Sequence, residues 1–119
     1  LQPDNAHAYN ALGYSLADRN LRLSEAYALI QKASALAPQD PYIMDSLGWV
    51  LYRQGQYQQA LMTLEAAYNI KDDPEIAAHM GEVLWRLGKQ EDARALWQKA
   101  AAEAPDNSTL KDTLKKFMP

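Results

Sequence analysis

The chain has 119 residues, a length that fits one ordinary domain or a short array of stacked helical units. Its 48% hydrophobic and 23% charged residues are near the averages for soluble globular proteins, which argues against intrinsic disorder. The formal net charge is -3 without a run of Lys or Arg, so the basic surface that nucleic-acid phosphates require is not predicted. Cysteine is absent, which excludes disulfides and thiolate metal ligands from this segment. No apolar stretch reaches the roughly 18 residues that predict a membrane-spanning helix.

The sequence repeats itself along its length. Pairs of an apolar residue and glycine recur at Leu12-Gly13, Leu47-Gly48 and Met80-Gly81, spaced by 35 and 33 residues. Three more columns recur in the same register: Ala26, Ala60 and Ala93; Ile30, Leu64 and Trp97; and Ala33, Ala67 and Ala100. Small residues allow two helices to cross closely, and large apolar residues three and four apart fill the stripe beside them. The columns therefore predict three helical hairpins.

The helix ends are predicted by local residues. Asp40-Pro41 and Asp73-Pro74 each place an N-cap acceptor before a proline at the first helical position. Gly55 and Gly88 follow first helices, where a left-handed residue ends a helix, and Asn20 takes this place in the first unit, whose turn is one residue longer. We predict first helices at 6–19, 41–54 and 74–87, second helices at 24–37, 57–70 and 90–103, and a last helix at 107–117.

These columns resemble the tetratricopeptide repeat family, whose unit is a helix, a turn and a second helix in about 34 residues. The resemblance covers nearly the whole chain and implies an all-α, right-handed superhelical solenoid with a C-terminal capping helix. It divides the chain into the end of a preceding repeat at 1–5, repeats at 6–40, 41–73 and 74–106, and a cap at 107–119. The segment Leu1-Gln2-Pro3-Asp4-Asn5 is similar to 36–40, which predicts that the chain is the C-terminal part of a longer array.

The resemblance also implies a binding surface, because in this family the first helix of each repeat lines a concave groove that holds a protein or peptide. Carried over position by position, it predicts aromatic, polar and charged partner-binding residues: Asn10, Tyr14, Tyr42, Asp45, Trp49, Tyr52, Arg53, His79, Glu82 and Arg86. For Tyr14 and Trp49, contact with the ligand and packing are equally supported. Packing between repeats is favoured for Tyr52 and Trp85, and packing in the core for Trp97.

One known ligand class of the family is not expected. Members that hold the acidic C-termini of heat-shock chaperones use Lys and Asn at two groove positions, with further basic residues nearby. Those two positions hold Asn10 and Tyr14 in the first repeat, Asp45 and Trp49 in the second, and Ala78 and Glu82 in the third. Because the basic clamp is absent, we expect a ligand of mixed aromatic and polar character instead.

Catalysis is not predicted. The two histidines, His7 and His79, lie in different repeats, and the His79 and Glu82 pair lacks the second such pair that a metal site would need. No phosphate-binding loop, nucleophile elbow or HExxH motif is present. We therefore expect no enzyme, no cofactor and no metal. The sequon at Asn107 is interpreted as a helix cap.

Two alternatives to a binding scaffold remain: self-association through the convex face or the array ends, and substrate recruitment for a catalytic domain outside this segment. At finer grain, the runs 45–55 and 73–85 are similar to the C-terminal repeats of Gram-negative outer-membrane lipoproteins. That similarity implies a bacterial periplasmic adaptor, held at the outer membrane by an N-terminal anchor outside this segment, that brings substrates to a carboxyl-terminal processing protease. A cytoplasmic location is the alternative.

Overall fold

The computed structural model describes residues 5–118, and this range contains seven α-helices and no strand. The helices are α1 (Ala6–Asp18), α2 (Leu23–Leu36), α3 (Pro41–Arg53), α4 (Tyr57–Ile70), α5 (Pro74–Arg86), α6 (Gln90–Glu103) and α7 (Ser108–Phe117). Every predicted helix is present with each end within one residue of its predicted position, so the all-α repeat fold is confirmed. The interpretation of residues 1–4 as the end of a preceding repeat lies outside the described residues. None of the seven helices has the length and apolarity needed to cross a membrane.

The helices pack as three hairpins, α1 with α2, α3 with α4, and α5 with α6. Each second helix also contacts the first helix of the next repeat, and the first helices contact one another in order. Helix α7 packs against α5 and α6, where the first helix of a fourth repeat would lie. The result is an elongated array of 41 × 26 × 22 Å in which α1, α3, α5 and α7 form one layer.

Three glycines allow the two helices of each hairpin to touch. A Cβ atom on Gly13 would lie 2.6 Å from Ile30 Cγ1, and one on Gly48 would lie 2.6 Å from Leu64 Cγ. The corresponding atom on Gly81 would overlap the indole of Trp97. All three opposing side chains are fully buried, as their positions in the recurring column predict. A large side chain of the second helix therefore fills the space that each glycine leaves open.

The helix starts follow the predicted caps. The Asp40 carboxylate accepts hydrogen bonds from the Tyr42 and Ile43 amides, at 2.9 and 3.3 Å, and the Asp73 carboxylate accepts one from the Glu75 amide at 2.8 Å. The Asn107 side chain accepts a hydrogen bond from the Leu110 amide at 2.9 Å, which confirms its interpretation as a cap.

The turns inside the hairpins differ between repeats. Gly55 and Gly88 have φ values of 84° and 85°, the left-handed conformation predicted for them. In the first repeat Asn20 is left-handed as predicted, at 56°, and Arg22 is left-handed as well, at 45°. This second left-handed residue accommodates the longer turn, and α2 begins at Leu23, one residue earlier than predicted.

Helix α7 closes the C-terminal end of the array. Its Leu110 and Thr113 side chains are buried, and the ring of Phe117 lies 5.6 Å from Trp85 and 5.5 Å from Trp97 between ring centroids. Lys111 and Lys115 are exposed, as expected for a terminal helix. The array thus ends on a helix with one apolar and one charged face.

We expect Gly81→Ala to lower the free energy of unfolding by about 3 kcal/mol, near the upper end for overpacked cores, because a Cβ there overlaps a rigid indole. The control is Gly55→Ala, where a Cβ meets no atom within 4 Å and the left-handed backbone alone should cost about 1 kcal/mol. Urea unfolding followed by circular dichroism measures both values. Equal losses for the two variants would contradict the proposed role of the helix contact.

Candidate partner-binding groove

The first helices and α7 line a groove with two parts, which share one lining residue. The larger part, which we call the basin, has a volume of about 240 Å³. The basin is lined by Tyr14, Asp18, Trp49, Arg53, His79, Glu82, Thr109, Asp112, Thr113 and Lys116. The smaller part, which we call the hollow, has about 160 Å³ and is lined by Asn10, Ala11, Tyr14, Tyr42, Asp45, Ser46 and Glu75. Tyr14 lines both parts, so the groove extends across all three repeats.

A buried histidine links the three repeats behind this surface. His79 on α5 is 4% exposed, and its Nδ1 atom lies 2.9 Å from Asp45 Oδ1 on α3. Its Nε2 atom lies 3.3 Å from the Tyr14 hydroxyl on α1. Since a carboxylate only accepts, Nδ1–H donates to Asp45, and in the neutral ring Nε2 accepts from Tyr14. The imidazole also stacks on the Trp49 indole, with 4.2 Å between ring centroids.

The charge state of His79 depends on its carboxylate neighbours. Burial lowers the pKa of His79, but the charge and hydrogen bond of Asp45, together with the charges of Glu75 and Glu82, raise this pKa above its ordinary value. The folded chain therefore keeps the imidazolium form, paired with Asp45, up to a higher pH than an unperturbed histidine would, and in that form Nε2–H donates to the Tyr14 oxygen.

A second buried polar cluster joins α3, α5 and α7. The Tyr52 hydroxyl donates a 2.7 Å hydrogen bond to the Glu82 carboxylate, and the Arg86 Nε–H donates a 3.0 Å hydrogen bond to the Tyr52 oxygen. Lys116 Nζ of α7 lies 3.7 Å from Glu82 Oε2. Glu82 is only 5% exposed, so the hydroxyl and the ammonium are what compensate its charge.

The indole of Trp49 is covered by its neighbours. Its Nε1–H donates a 3.3 Å hydrogen bond to Asp18 Oδ1, and the Arg53 guanidinium lies 4.8 Å from its ring centroid. Arg53 is held there by a 3.2 Å hydrogen bond from Nη2 to the Asp18 carbonyl. A cation over the ring and a stacked imidazole leave Trp49 only 3% exposed.

The structure corrects the exposure expected for several predicted contacts. Trp49 lines the basin, but Arg53 and His79 cover most of its ring, so the structure favours the packing interpretation, and contact with a ligand stays a prediction. Asp45, His79 and Glu82 are likewise buried, since each is paired with another buried side chain. These three side chains lie behind the groove surface and support it. Tyr52 is buried, as the packing interpretation predicted.

The other predicted contacts are accessible. Tyr42 and Arg86 are exposed, whereas Asn10, Tyr14 and Arg53 are half-buried. Trp85 is half-buried against Trp97, with 5.8 Å between ring centroids. The structure brings all ten predicted residues to the first-helix layer, and their role as partner contacts stays a prediction.

Helix α7 contributes groove residues that the sequence reasoning did not include. Thr109, Asp112, Thr113 and Lys116 line the basin from α7, and the Thr109 hydroxyl donates a 3.1 Å hydrogen bond to Glu75 of α5. Their spacing of three, one and three residues places them on one helix face, which is a signal present in the sequence. The prediction treated α7 only as a cap.

The side chains of Asp45, His79 and Tyr14 are linked in the order carboxylate, imidazole and hydroxyl, and their surroundings favour the neutral form of the hydroxyl. Burial raises the pKa of Tyr14 strongly, and the carboxylates of Asp18, Asp45 and Glu75 raise it further. A phenolate at this position would require the opposite, a lowered pKa. Within residues 5–118, no group of three or more His, Asp or Glu side chains is arranged to hold a metal ion.

We expect Asp45→Asn to destabilise the chain more at pH 5.5 than at pH 8.5. The raised pKa of His79 means that its pairing with Asp45 contributes fully below the unfolded pKa of about 6.5 and is lost as pH rises through the folded pKa. Removing one partner of a buried pair costs about 3 kcal/mol, and we expect that loss at the lower pH. Urea unfolding at both pH values measures it, with Asp92→Asn on exposed α6 surface as the control. A loss that does not depend on pH would refute the charged pairing.

Trp49 and Tyr42 should respond differently to truncation. We expect Trp49→Ala to lower the free energy of unfolding by about 3 kcal/mol, because a buried indole is removed. Tyr42→Ala, at a site 43% exposed, should change it by less than about 1 kcal/mol. Thermal unfolding of both variants tests this difference. Similar losses would show that the Tyr42 ring is part of the fold as well.

The comparisons with known proteins place the fold among helical repeats. The chain is 54% identical over 81 residues to the TPR repeat-containing protein PA4667 of Pseudomonas aeruginosa. The aligned region covers 68% of this chain and 14% of that protein. The chain therefore spans a small part of that relative's length. The crystal structure of TTC0263, a TPR protein of Thermus thermophilus, superposes with a TM-score of 0.82 at 22% identity, covering 97% of this chain and 64% of the other.

Two further structures contain bound segments. The first TPR of Spaghetti (RPAP3) bound to the HSP90 peptide SRMEEVD has a TM-score of 0.78 at 16% identity, covering 98% of this chain and 92% of the other. PcrH in complex with the chaperone binding region of PopB has a TM-score of 0.76 at 21% identity, covering 98% and 94%. At these identities the likeness shows the fold.

The family assignment rests on a direct match. The sequence pattern of the tetratricopeptide repeat matches residues 51–116, more than half of the chain. Proteins of this family generally mediate protein–protein interaction, and the repeat is typically a non-catalytic scaffold. With three glycine-crossed hairpins, a concave first-helix layer and this match, the chain belongs to the tetratricopeptide repeat family.

Proposed function

We propose that this chain is an adaptor that holds a segment of a partner protein in the concave groove. One observation carries the proposal: the basin and the hollow share Tyr14, each is lined by residues of all three repeats, and α7 adds a further wall to the basin. An exposed aromatic ring, that of Tyr42, stands at the hollow. Tyrosine is a frequent anchor at interfaces because its rigid ring buries much area with little loss of rotamer entropy.

Two polar atoms of the groove support the same proposal. Within residues 5–118, the buried side-chain atoms without a hydrogen-bond partner are Asn10 Oδ1 and Arg53 Nε. Buried polar groups are normally paired, so an orphaned acceptor and an orphaned donor in one groove call for an explanation. A peptide backbone offers both an N–H and a C=O, and a segment seated along the groove would complete the two groups.

One solved structure of similar fold holds an acidic peptide, and the side chains of the present groove suit a ligand of a different charge. The RPAP3 repeat domain is bound to a peptide of the sequence SRMEEVD, which is rich in acidic residues. In the present chain the carboxylates of Asp45 and Glu82 occupy the groove wall at two of the positions where chaperone-binding members carry Lys or Asn. Neither position supplies the Lys or Asn donor with which those members hold an acidic peptide, so we propose a ligand of mixed aromatic and polar character.

We further propose that the adaptor acts in the bacterial periplasm for a carboxyl-terminal processing protease, held at the outer membrane by an anchor outside this segment. Support comes from the similarity of the runs 45–55 and 73–85 to outer-membrane lipoprotein repeats. The extensive identity with a longer bacterial repeat protein is consistent with a chain that works as part of a larger adaptor.

Affinity capture with the full-length protein tests both levels of the proposal, namely that the groove holds a partner and that the partner is a processing protease. We expect Tyr42→Ala and Asp112→Lys, both exposed changes at the groove, to reduce partner recovery by about tenfold, the loss of one interface anchor. The control is Met62→Ala, a 69% exposed side chain on α4 outside the groove. Quantitative mass spectrometry identifies what is recovered.

The outcomes separate the two levels. Groove-dependent recovery of a processing protease supports the whole proposal. Groove-dependent recovery of other proteins without a protease would retain the adaptor and reject the protease. Recovery that is insensitive to both groove variants and sensitive to Met62→Ala would move binding to another face.

A further inference from the structure

The hollow combines aromatic rings with carboxylates and lacks basic residues. Tyr42 and Tyr14 contribute two phenol rings, and Glu75 and Asp45 contribute two carboxylates. A third carboxylate, that of Asp73, accepts a 3.2 Å hydrogen bond from the Tyr42 hydroxyl. None of the seven residues that line the hollow is Lys or Arg. Such a surface fits a positively charged group.

The cations elsewhere in the groove are already paired. Arg53 donates to the Asp18 carbonyl and lies 3.8 Å from its carboxylate, and Lys116 lies 3.7 Å from Glu82. Arg86 donates to the hydroxyl of Tyr52. Arg53 and Lys116 are thus engaged by carboxylates of the basin, so neither supplies a counter-charge to the hollow.

The carboxylates at the hollow differ in whether a cation compensates their charge. Asp45 is compensated by His79, at 2.9 Å. Glu75 accepts a hydrogen bond from the neutral Thr109 hydroxyl, and Asp73 accepts from the Glu75 amide and the Tyr42 hydroxyl. Among residues 5–118, neither Asp73 nor Glu75 has a Lys, Arg or His side chain at salt-bridge distance. Two carboxylates thus lack a cation at one end of the groove.

The pKa values of both tyrosines are raised, as expected beside carboxylates without a counter-charge. Burial raises the pKa of Tyr42, and Asp73, Asp40 and Glu75 raise it further. Burial also raises the pKa of Tyr14, with additional contributions from Asp18, Asp45 and Glu75. Among the charges that raise these pKa values, Glu75 is common to both tyrosines, and it lines the hollow with them. A cation placed there would relieve the unfavourable field.

An unpartnered acceptor gives independent support for a donor at this place. Asn10 Oδ1 lies in the hollow lining, is buried, and has no hydrogen-bond partner within the described part of the chain. An ammonium or guanidinium group carries several N–H donors and no acceptor. Such a group can satisfy this acceptor and the carboxylates at the same time.

Building on the proposed function, we propose that the hollow is the subsite for a Lys or Arg side chain of the partner segment. The cation lies over the exposed Tyr42 ring, beside the carboxylates of Asp73 and Glu75, and donates to Asn10 Oδ1. Cation–π attraction and two nearby carboxylates favour a charged side chain over an apolar one of the same length. An acidic side chain is excluded by like-charge repulsion.

A short blocked peptide tests this subsite without knowledge of the partner. The probes are acetyl-Ala-Lys-Ala-amide, its Arg counterpart, and a norleucine peptide that keeps the chain length and removes the charge. Titration of the whole chain is followed by NMR of the Tyr42 and Tyr14 ring signals. We expect saturable shifts with a Kd on the order of 1 mM for the Lys and Arg peptides, and binding about fivefold weaker or more for norleucine.

Isosteric variants locate the charge. Glu75→Gln keeps the side-chain shape and a partner for Thr109, and we expect it to weaken binding of the Lys peptide by about threefold to tenfold. The matched control is Glu65→Gln, the same change at an exposed site on α4, which should leave binding unchanged. Circular dichroism confirms that both variants keep the fold.

The results distinguish this inference from the adaptor function. Absence of saturable shifts, equal binding of the norleucine peptide, or equal effects of Glu75→Gln and Glu65→Gln would overturn the cationic subsite. Groove-dependent capture by the full-length protein could still hold in that case. Conversely, selective binding of the Lys peptide without groove-dependent capture would retain the subsite and reject the adaptor.

Discussion

In each hairpin, a glycine of the first helix contacts a large side chain of the second helix, and this contact sets the distance between the two helices. Because Ile30, Leu64 and Trp97 occupy the space opposite the glycines, the facing side of each first helix is committed to its partner helix. The remaining faces of α1, α3 and α5 are then available to form one concave layer. In the third repeat the filling residue is a tryptophan, and its ring also contacts Trp85 and Phe117. Trp97 therefore both packs against Gly81 within the hairpin and holds α7 in place through Phe117. Helix α7 lines the groove beside α1, α3 and α5.

Polar side chains beneath the groove fix the position of one repeat relative to the next. Helices α1 and α5 share no backbone-level contact among the described residues, yet His79 joins Tyr14 to Asp45 across all three repeats. The Tyr52 and Glu82 pair continues this link toward α7 through Lys116. Buried polar pairs with satisfied hydrogen bonds are directional, so they hold a particular helix spacing where apolar packing would tolerate several. The groove is consequently held in shape by contacts within the chain, which under the proposed function would lower the ordering cost of binding.

The sequence predicted the helices well because their ends depend on adjacent residues. A cap such as Asp40 or Asp73 bonds amides two or three positions away, and Gly55 takes its left-handed conformation within its own turn. The burial of Trp49 depends instead on His79, which belongs to another repeat, and periodicity alone identifies a face without naming the residue that covers it. Helix α7 was predicted for the same local reason as the others, whereas its place in the groove wall follows from packing against α5 and α6.

The two carboxylates at the hollow also serve the fold, and this affects which one is available to a ligand. Asp73 is the N-cap of α5 and its oxygens accept the Glu75 amide and the Tyr42 hydroxyl, so its charge is partly engaged by the helix start. Glu75 lies in the first turn, where the positive end of the helix dipole stabilises its charge without using its hydrogen-bonding capacity. Its carboxylate accepts a hydrogen bond from Thr109 and is otherwise open to the hollow. Glu75 is therefore the residue whose charge can be directed at a partner while Asp73 maintains the helix, and α7 orients it through that single hydroxyl.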